Sequence, residues 1–348
     1  MNRVPQAPAV WFPAIRANTG TDVFTRRLCD GLSACGIRAE ITWLPHRAEY
    51  APWSVPVPKA PPWATVAHVN TWLHPRFIPP HLPVVATLHH SVHDPALRPY
   101  KGWLRAAYHR WWIAPVERRV LRRAQRVVAV SRFVADMACR TLDDVPMEVI
   151  HNGIDVGRFQ HLERQQRRPG RPFRLLFVGS WMTRKGVDLL APIMRELGDG
   201  FELHYTGGAA AAADSPAMPP NMHDIGRQST DGVVAAMQQA DAFLFPSRSE
   251  GLPLVAAEAM ACGLPVIATR GSSLPEVVED GVTGLLCARD DVGAFATAAR
   301  RLADDPGLAA TMSAAAPVVT RRRFDLAVMV ESYATMYALL AGQANQRR

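Results

Sequence analysis

No run of residues in this 348-residue chain reaches the ~18–20 uninterrupted apolar positions that a membrane-spanning helix needs. Near the N-terminus, Pro5, Pro8 and Pro13 interrupt a short apolar stretch, so no secretory signal is expected there. Cysteine is scarce and odd in number. Cys29, Cys35, Cys139, Cys262 and Cys287 are scattered without paired metal spacing, which suits a reducing cytosol better than a disulfide framework. Lysine is scarcer still: Lys59, Lys101 and Lys185 are the only ones, so arginine carries most of the positive charge. There is also no zinc spacing, recognition-helix pattern or RNA-binding aromatic motif, and nucleic acid is not an expected partner.

What is present is a globular composition, 48% hydrophobic and 20% charged, which excludes a disordered chain. A formal net charge of +8 favours anionic partners: nucleotide diphosphates, lipid phosphates or an anionic membrane surface. The length accommodates two domains of ~150 residues.

Short β-rich runs alternate with helical stretches: AVWFP, AEITWL, TVAHVN, VVATLHH and RVVAVS, then RLLFVGS, FELHYTG, DAFLFPS, LPVIAT and GLLC. Each series reads as a doubly wound α/β domain with a mainly parallel sheet. The polar, basic stretch from Phe159 to Pro172 reads as a linker between them. Residues 1–160 then form a first Rossmann-like domain and 173–325 a second. The expected ligand site is the cleft between them, at the carboxyl ends of the strands. Gly207 to Pro220 reads as a loop, despite the alanines at 209–213. In the last amphipathic stretch, Leu326 to Leu340, Val330, Tyr333, Ala334 and Tyr337 share a face.

The most informative segment reads PSRSEGLPLVAAEAMACGLPVIATRGSSLPEVVEDGVTGLL. A buried strand, Ala242 to Phe245, breaks at Pro246 and a helix follows from about Leu252 to Cys262. Pro253 suits its first turn and Gly263 the position past its end. Glu250 sits at the turn, beside the helix end that offers free N–H groups. Glu258 lies two turns on, ~10–12 Å along the axis, a span of the order of a sugar–diphosphate–ribose. The plain alternative makes Glu250 a helix-start carboxylate and Glu258 a solvated side chain. Against that alternative, Glu258 sits in the apolar run VAAEAMA, where a carboxylate needs donors.

Other residues read as cleft candidates. Gly20, before the helix-like segment Val23 to Leu32, can close a strand–helix turn around a substrate. His89 and His90 end the strand VVATL, where a histidine is more often a structural hydrogen-bonding group than an acid or base. With His93 and Asp94 they are metal-ligand types, but adjacent residues on a strand face opposite sides. After Gly179, Arg184 and Lys185 can offset charge on a departing diphosphate; the other reading is a solvated loop pair. From Lys101 to Arg126, Trp103, Trp111 and Trp112 are interleaved with Arg105, Arg110, Arg118, Arg119, Arg122 and Arg123, a composition suited to an anionic bilayer surface. The other reading is a core helix with tryptophans inward.

The segment around Glu250 and Glu258 resembles the glutamate–seven residues–glutamate motif of retaining glycosyltransferases with the GT-B fold, specifically family four (glycosyl transferases group 1). AMACGLPVIAT, PEVV and DGVTGLL continue that family's wording over about forty contiguous residues. The resemblance implies two Rossmann-like domains facing a central cleft, a nucleotide-diphosphate-sugar donor, and a glycan or lipid-linked acceptor. It implies no metal and no cofactor. It assigns Glu250 to donor-sugar hydroxyls and Glu258 to ribose hydroxyls, with the amides of Gly251, Leu252 and Leu254 facing diphosphate or sugar. Lys185-Gly186 matches the family's lysine–glycine pair, His89 its threonine–apolar–histidine strand end, and Gly20 its N-terminal glycine loop. Asn152-Gly153-Ile154-Asp155 with Phe159, and Ser131, match its interdomain junction. The resemblance also implies that the helix within 326–348 returns to the first domain. The chain departs from the family at Ser180, where an arginine is common, and at Gly20-Thr21, where a Gly-Gly pair is.

The expected activity is therefore retaining hexosyl transfer in surface polysaccharide or glycolipid assembly, in the cytoplasm and at the inner membrane face if the tryptophan segment touches lipid. A nucleotide-sugar epimerase and a non-catalytic sugar-nucleotide-binding partner of a synthesis complex are the alternatives.

Overall fold

The computed structural model describes residues 7–161, 170–211 and 218–346, the side chains of 344–346 excepted. The core of the expected linker, 162–169, and part of the alanine-rich segment, 212–217, lie outside the described residues. The chain divides into two compact units, Met1–Gly153 with Leu326–Arg348, and Ile154–Asp325.

Unit 1 carries six parallel strands: β1 (Ala9–Ile15), β2 (Arg38–Leu44), β3 (Val66–Asn70), β4 (Val84–Leu88), β5 (Arg126–Ala129) and β6 (Glu148–Val149), in the order β2-β1-β3-β4-β5-β6. Pro13 is tolerated in β1 because it lies beyond Trp11, the last residue paired with β3, so its missing N–H breaks no ladder on that side. The helices are α1 (Gly20–Ala34), α2 (Trp103–Tyr108), α3 (Ala114–Arg123) and α4 (Arg132–Thr141). A π-turn, His109–Ile113, joins α2 to α3.

Unit 2 repeats the architecture with β7 (Phe173–Phe177), β8 (Phe201–Tyr205), β9 (Met222–Asp224), β10 (Ala242–Phe245), β11 (Val266–Thr269) and β12 (Gly284–Cys287). The order is β12-β11-β10-β7-β8-β9, again all parallel. Its helices are α5 (Val187–Leu197), α6 (Thr230–Gln239), α7 (Leu254–Ala261), α8 (Leu274–Val277), α9 (Val292–Asp304) and α10 (Pro306–Phe324). One continuous core, built on Leu175, Leu176, Phe243, Phe245, Ile267 and Phe295, fills the unit.

The chain then returns to unit 1 as α11 (Leu326–Gln346). Its Met329, Val330, Tyr333 and Tyr337 pack with Phe24 and Leu28 of α1 over one face of the first sheet. Val116 and Val120 of α3 pack with Trp11, Phe77 and Val84 on the other face. Each sheet reverses its strand order beside its first strand, between β1 and β3 and between β7 and β10. Such reversals open a ligand crevice outside the carboxyl ends of the strands.

Candidate active site

At the carboxyl end of β7 the Gly179 amide donates to Thr206 Oγ1 (3.1 Å). A short turn, Thr183–Lys185, leads into Gly186 at φ 73°, where a Cβ would lie 2.2 Å from the Pro246 carbonyl oxygen. Only glycine lets this loop rest on the chain leaving β10. The approach brings two cations onto one carboxylate. Lys185 Nζ donates to Glu250 Oε1 (2.6 Å), Ser247 Oγ donates to the same oxygen (2.5 Å), and Arg184 stands 3.8 Å from Oε2 while donating to the Ser249 carbonyl. Ser272 Oγ accepts from the Glu250 amide (3.2 Å) and Ser273 Oγ donates to its carbonyl (3.1 Å), fixing the backbone.

Glu250 is buried, and burial alone would push its carboxyl up. The Lys185 and Arg184 charges and the hydrogen bonds from Lys185 and Ser247 outweigh that and hold it below the ordinary carboxylate range. The result is a dehydrated anion with two cations against it, at the reversal of strand order. Lys185 also lies 5.3 Å from the Phe245 ring centroid, an attractive cation–π geometry.

Sequence reasoning missed the residue that holds this loop pair together. The buried Arg248 grips Asp188 with two nitrogens (2.6 and 2.8 Å), Asp290 with Nε (2.6 Å), and the Thr183 carbonyl, joining the segments after β7, β10 and β12. These bonds raise its pKa above the ordinary arginine value. Its position inside the motif was the only signal in the sequence, because its partners lie 60 and 42 residues away.

Helix α7 begins at Leu254, two residues later than the sequence suggests. Pro253, at ψ 80°, precedes the helix, and the Leu254 amide donates back to the Leu252 carbonyl (3.0 Å). That amide, expected to face the donor, is therefore already engaged. Gly251 is buried and Leu252 half-buried. The far end is as expected: Gly263 takes φ 73°, with Gly263 N–H to Met260 O (2.9 Å) and Leu264 N–H to Ala259 O (2.9 Å) closing the helix. Glu258 stands half-buried, one turn into α7.

In unit 1 the turn between β1 and α1 takes its left-handed residue at Asn18 (φ 56°), not at Gly20, where an added Cβ would meet nothing within 4 Å. Asp22 ties the turn by accepting from the amides of Ala17 (3.3 Å) and Asn18 (2.9 Å), a role the sequence reading did not identify. His89 follows β4, with its ring edge-on to Phe24 at 4.5 Å between centroids. Burial pushes it down to about 4, so it is neutral at neutral pH. Next to it runs a chain of buried polar groups that the sequence did not reveal. His68 bonds to Tyr337 Oη through Nδ1 and to Thr87 Oγ1 through Nε2 (2.8 Å), and Thr87 Oγ1 bonds to Tyr333 Oη (3.0 Å). Burial, with the neighbouring His89, pushes His68 down to about 3.

The structure does not gather His89, His90, His93 and Asp94 around one point. His93 Nε2 bonds to the fully buried Glu117 (2.8 Å), which also accepts from Thr71 and Trp72, and Asp94 caps the turn at Ala96 (2.8 Å). The inward-facing reading fails for two of the three tryptophans. Trp103 is 77% and Trp111 73% exposed, with Leu104 at 66%, while Trp112 alone is anchored, donating to the Glu49 carbonyl (2.8 Å). Among the described residues no helix is long and apolar enough to cross a membrane.

Residues 172–305 match the family Glycosyl transferases group 1, and residues 63–158 match Glycosyltransferase Family 4. The chain is similar to an uncharacterized glycosyltransferase of Methanocaldococcus jannaschii, 32% identical over 48% of this chain and 46% of the relative. It is also similar to the glycogen synthase of Mycobacterium tuberculosis, 29% identical over 81% of this chain and 70% of the relative. The match thus spans under half the length of the first of these relatives. Among solved structures, sucrose-phosphate synthase from Thermosynechococcus elongatus superposes with TM-score 0.76 at 18% identity, covering 96% of this chain and 99% of that one. HepE of Anabaena, solved in complex with UDP, superposes with TM-score 0.72 at 16% identity, covering 95% and 100%. With both domain families matched in chain order and the fold shared along nearly its whole length, the chain belongs to glycosyltransferase family 4 and has the GT-B fold.

Proposed function

We propose that the protein transfers a sugar, with retention of anomeric configuration, from a nucleotide diphosphate sugar to a glycan or lipid-linked acceptor. The observation that carries this reading is the Arg184–Lys185–Glu250 cluster at the strand-order reversal of unit 2. An ammonium has three donors, so Lys185 can keep its bond to Glu250 and still donate to a phosphate oxygen. Arg184 and Lys185 take up the charge of the leaving diphosphate, Glu250 positions the sugar, and Glu258 with the Gly251 and Leu252 backbone serves the nucleotide end. Fixed charges aimed where charge develops supply the largest catalytic effect. The acceptor oxygen attacks the face from which the diphosphate departs, and no protein nucleophile and no metal take part. By the family resemblance Gly179 and Gly20 serve the donor, and His89 serves the transferred sugar.

The exposed Trp103, Leu104 and Trp111, interleaved with Arg105 and Arg110, support contact with an anionic lipid surface and hence surface polysaccharide or glycolipid assembly. Solved relatives of this fold bind UDP or UDP with glucose, which makes UDP-sugars the first donors to test.

The test is calorimetric binding of a UDP-, GDP- and ADP-sugar panel to wild type and Glu258→Ala, followed by product analysis with and without acceptor. Selective binding of one donor, weakened in the variant, supports the site. Conversion of donor without acceptor would replace transfer with epimerisation, and no binding at all would overturn the proposal.

A further inference from the structure

A second cluster lies in unit 2 apart from the groups around Glu250. The alternation of β8 puts Glu202 and His204 on one face of the sheet, while Phe201, Leu203 and Tyr205 are buried on the other. The parallel register sets His204 directly beside His223 of β9, the last strand in the sheet order. Their rings lie 5.4 Å apart at 81°. Among the described residues these three side chains are the one group of three His, Cys, Asp or Glu whose ligand atoms all fall within 4.8 Å of one another.

The donors converge on a single oxygen. Glu202 Oε1 is occupied by Arg174 Nε of the neighbouring strand (2.7 Å), which fixes the carboxylate plane. Both imidazole Nε2 atoms face the other oxygen, Oε2, from 4.0 Å for His204 and 3.9 Å for His223. A tetrahedral ion with bonds of 2.0–2.1 Å to nitrogen and oxygen requires ligand atoms about 3.3–3.5 Å apart, so small side-chain rotations close the set. The carboxylate held by a hydrogen bond on its far oxygen is the usual outer support of a metal ligand. His223 is 47% and His204 24% exposed in their side chains, giving an ion an entry path.

We propose that Glu202, His204 and His223 form a binding site for a borderline divalent transition-metal ion of the Zn2+ class, coordinated by two imidazoles and one carboxylate with water completing the shell. Thiolates are absent from the set, and the imidazole–carboxylate combination selects such ions over Mg2+ or Ca2+. The ion is structural. It clips an edge strand of three residues to its neighbour, and it takes no part in sugar transfer.

The test uses the full chain, titrated with ZnCl2 by calorimetry in a non-chelating buffer, with Tm read in parallel and Co2+ absorption reporting the coordination sphere. Wild type is expected to bind one ion per chain with a raised Tm, and His204→Asn/His223→Asn to lose both effects. The single variant His223→Asn, at the more exposed position, provides the same readout if the double variant misfolds. Absence of saturable binding in wild type, or unchanged binding in the variants, would overturn the site. Nucleotide-sugar binding, measured with and without EDTA, is expected to be unaffected, so the two proposals stand or fall separately.

Discussion

Lys185 Nζ donates to Glu250 Oε1 at 2.6 Å across two loops that are 65 residues apart in the chain. The contact depends on Gly186 lying against the Pro246 carbonyl, and it keeps Glu250 ionised despite its burial. Replacing Lys185 by Ala should lower kcat by ~10²–10³, the size of effect seen when one fixed donor aimed at developing charge is removed. It should also cost ~3 kcal/mol of stability, because one partner of a buried pair is left behind. Glu250→Gln in the Lys185→Ala background should recover part of the stability and none of the activity. A double-mutant cycle by denaturation and steady-state kinetics separates the two effects.

Glu258→Ala should raise the donor Kd by roughly tenfold or more, consistent with loss of a hydrogen bond to a charged acceptor worth ~1.5–3 kcal/mol. Titration calorimetry with the selected nucleotide sugar decides the matter, and an unchanged Kd would remove Glu258 from the nucleotide site.

Gly186→Ala should destabilise by several kcal/mol, on the order of the largest single-residue effects. The new Cβ would meet a backbone oxygen 2.2 Å away in a left-handed conformation, so neither side has a flexible end that can yield. Gly20→Ala, with open space around its Cβ, should leave Tm nearly unchanged. Melting curves of the two variants provide a direct contrast.

Stability should fall as pH drops below 6.5. Burial lowers His68 to about 3, and lowers His89 and His109 to about 4 each. Unfolded imidazoles titrate near 6.5, so between pH 6.5 and 4 the unfolded chain binds more protons. Each ring then removes up to ~1.4 kcal/mol per pH unit. Glu250, depressed in the folded state, adds a loss at still lower pH as it protonates. Denaturant titrations at a series of pH values should give a plateau above pH 7 and a decline below 6.5. A flat profile down to pH 5 would mean that the rings protonate without leaving their places.

The alternation of apolar runs made the two parallel α/β sheets legible, and the long run through Glu250 and Glu258 carried the family. β6 and β9 left no pattern, because strands of two and three residues with mostly exposed side chains have too few positions to alternate. The start of α7 was misplaced because Pro253 fits equally well inside a first turn or just before it, and only its ψ of 80° distinguishes the two. Arg248, Asp22 and His68 escaped notice for different reasons. Arg248 and His68 bond to groups tens to hundreds of residues away, whereas the local partners of Asp22 are backbone amides, which no side-chain pattern marks.

The helix that supplies Tyr333 and Tyr337 to unit 1 is encoded after the whole of unit 2. A ribosome therefore releases residues 1–153 with one face of their sheet covered by α1 and not yet by α11, while 154–325 emerge as an uninterrupted segment whose two ends are joined by the Ile154 amide on the Phe324 carbonyl at 2.8 Å. The unit translated second is the first able to close its core, and the unit translated first stays dependent on protection of its apolar face until α11 arrives.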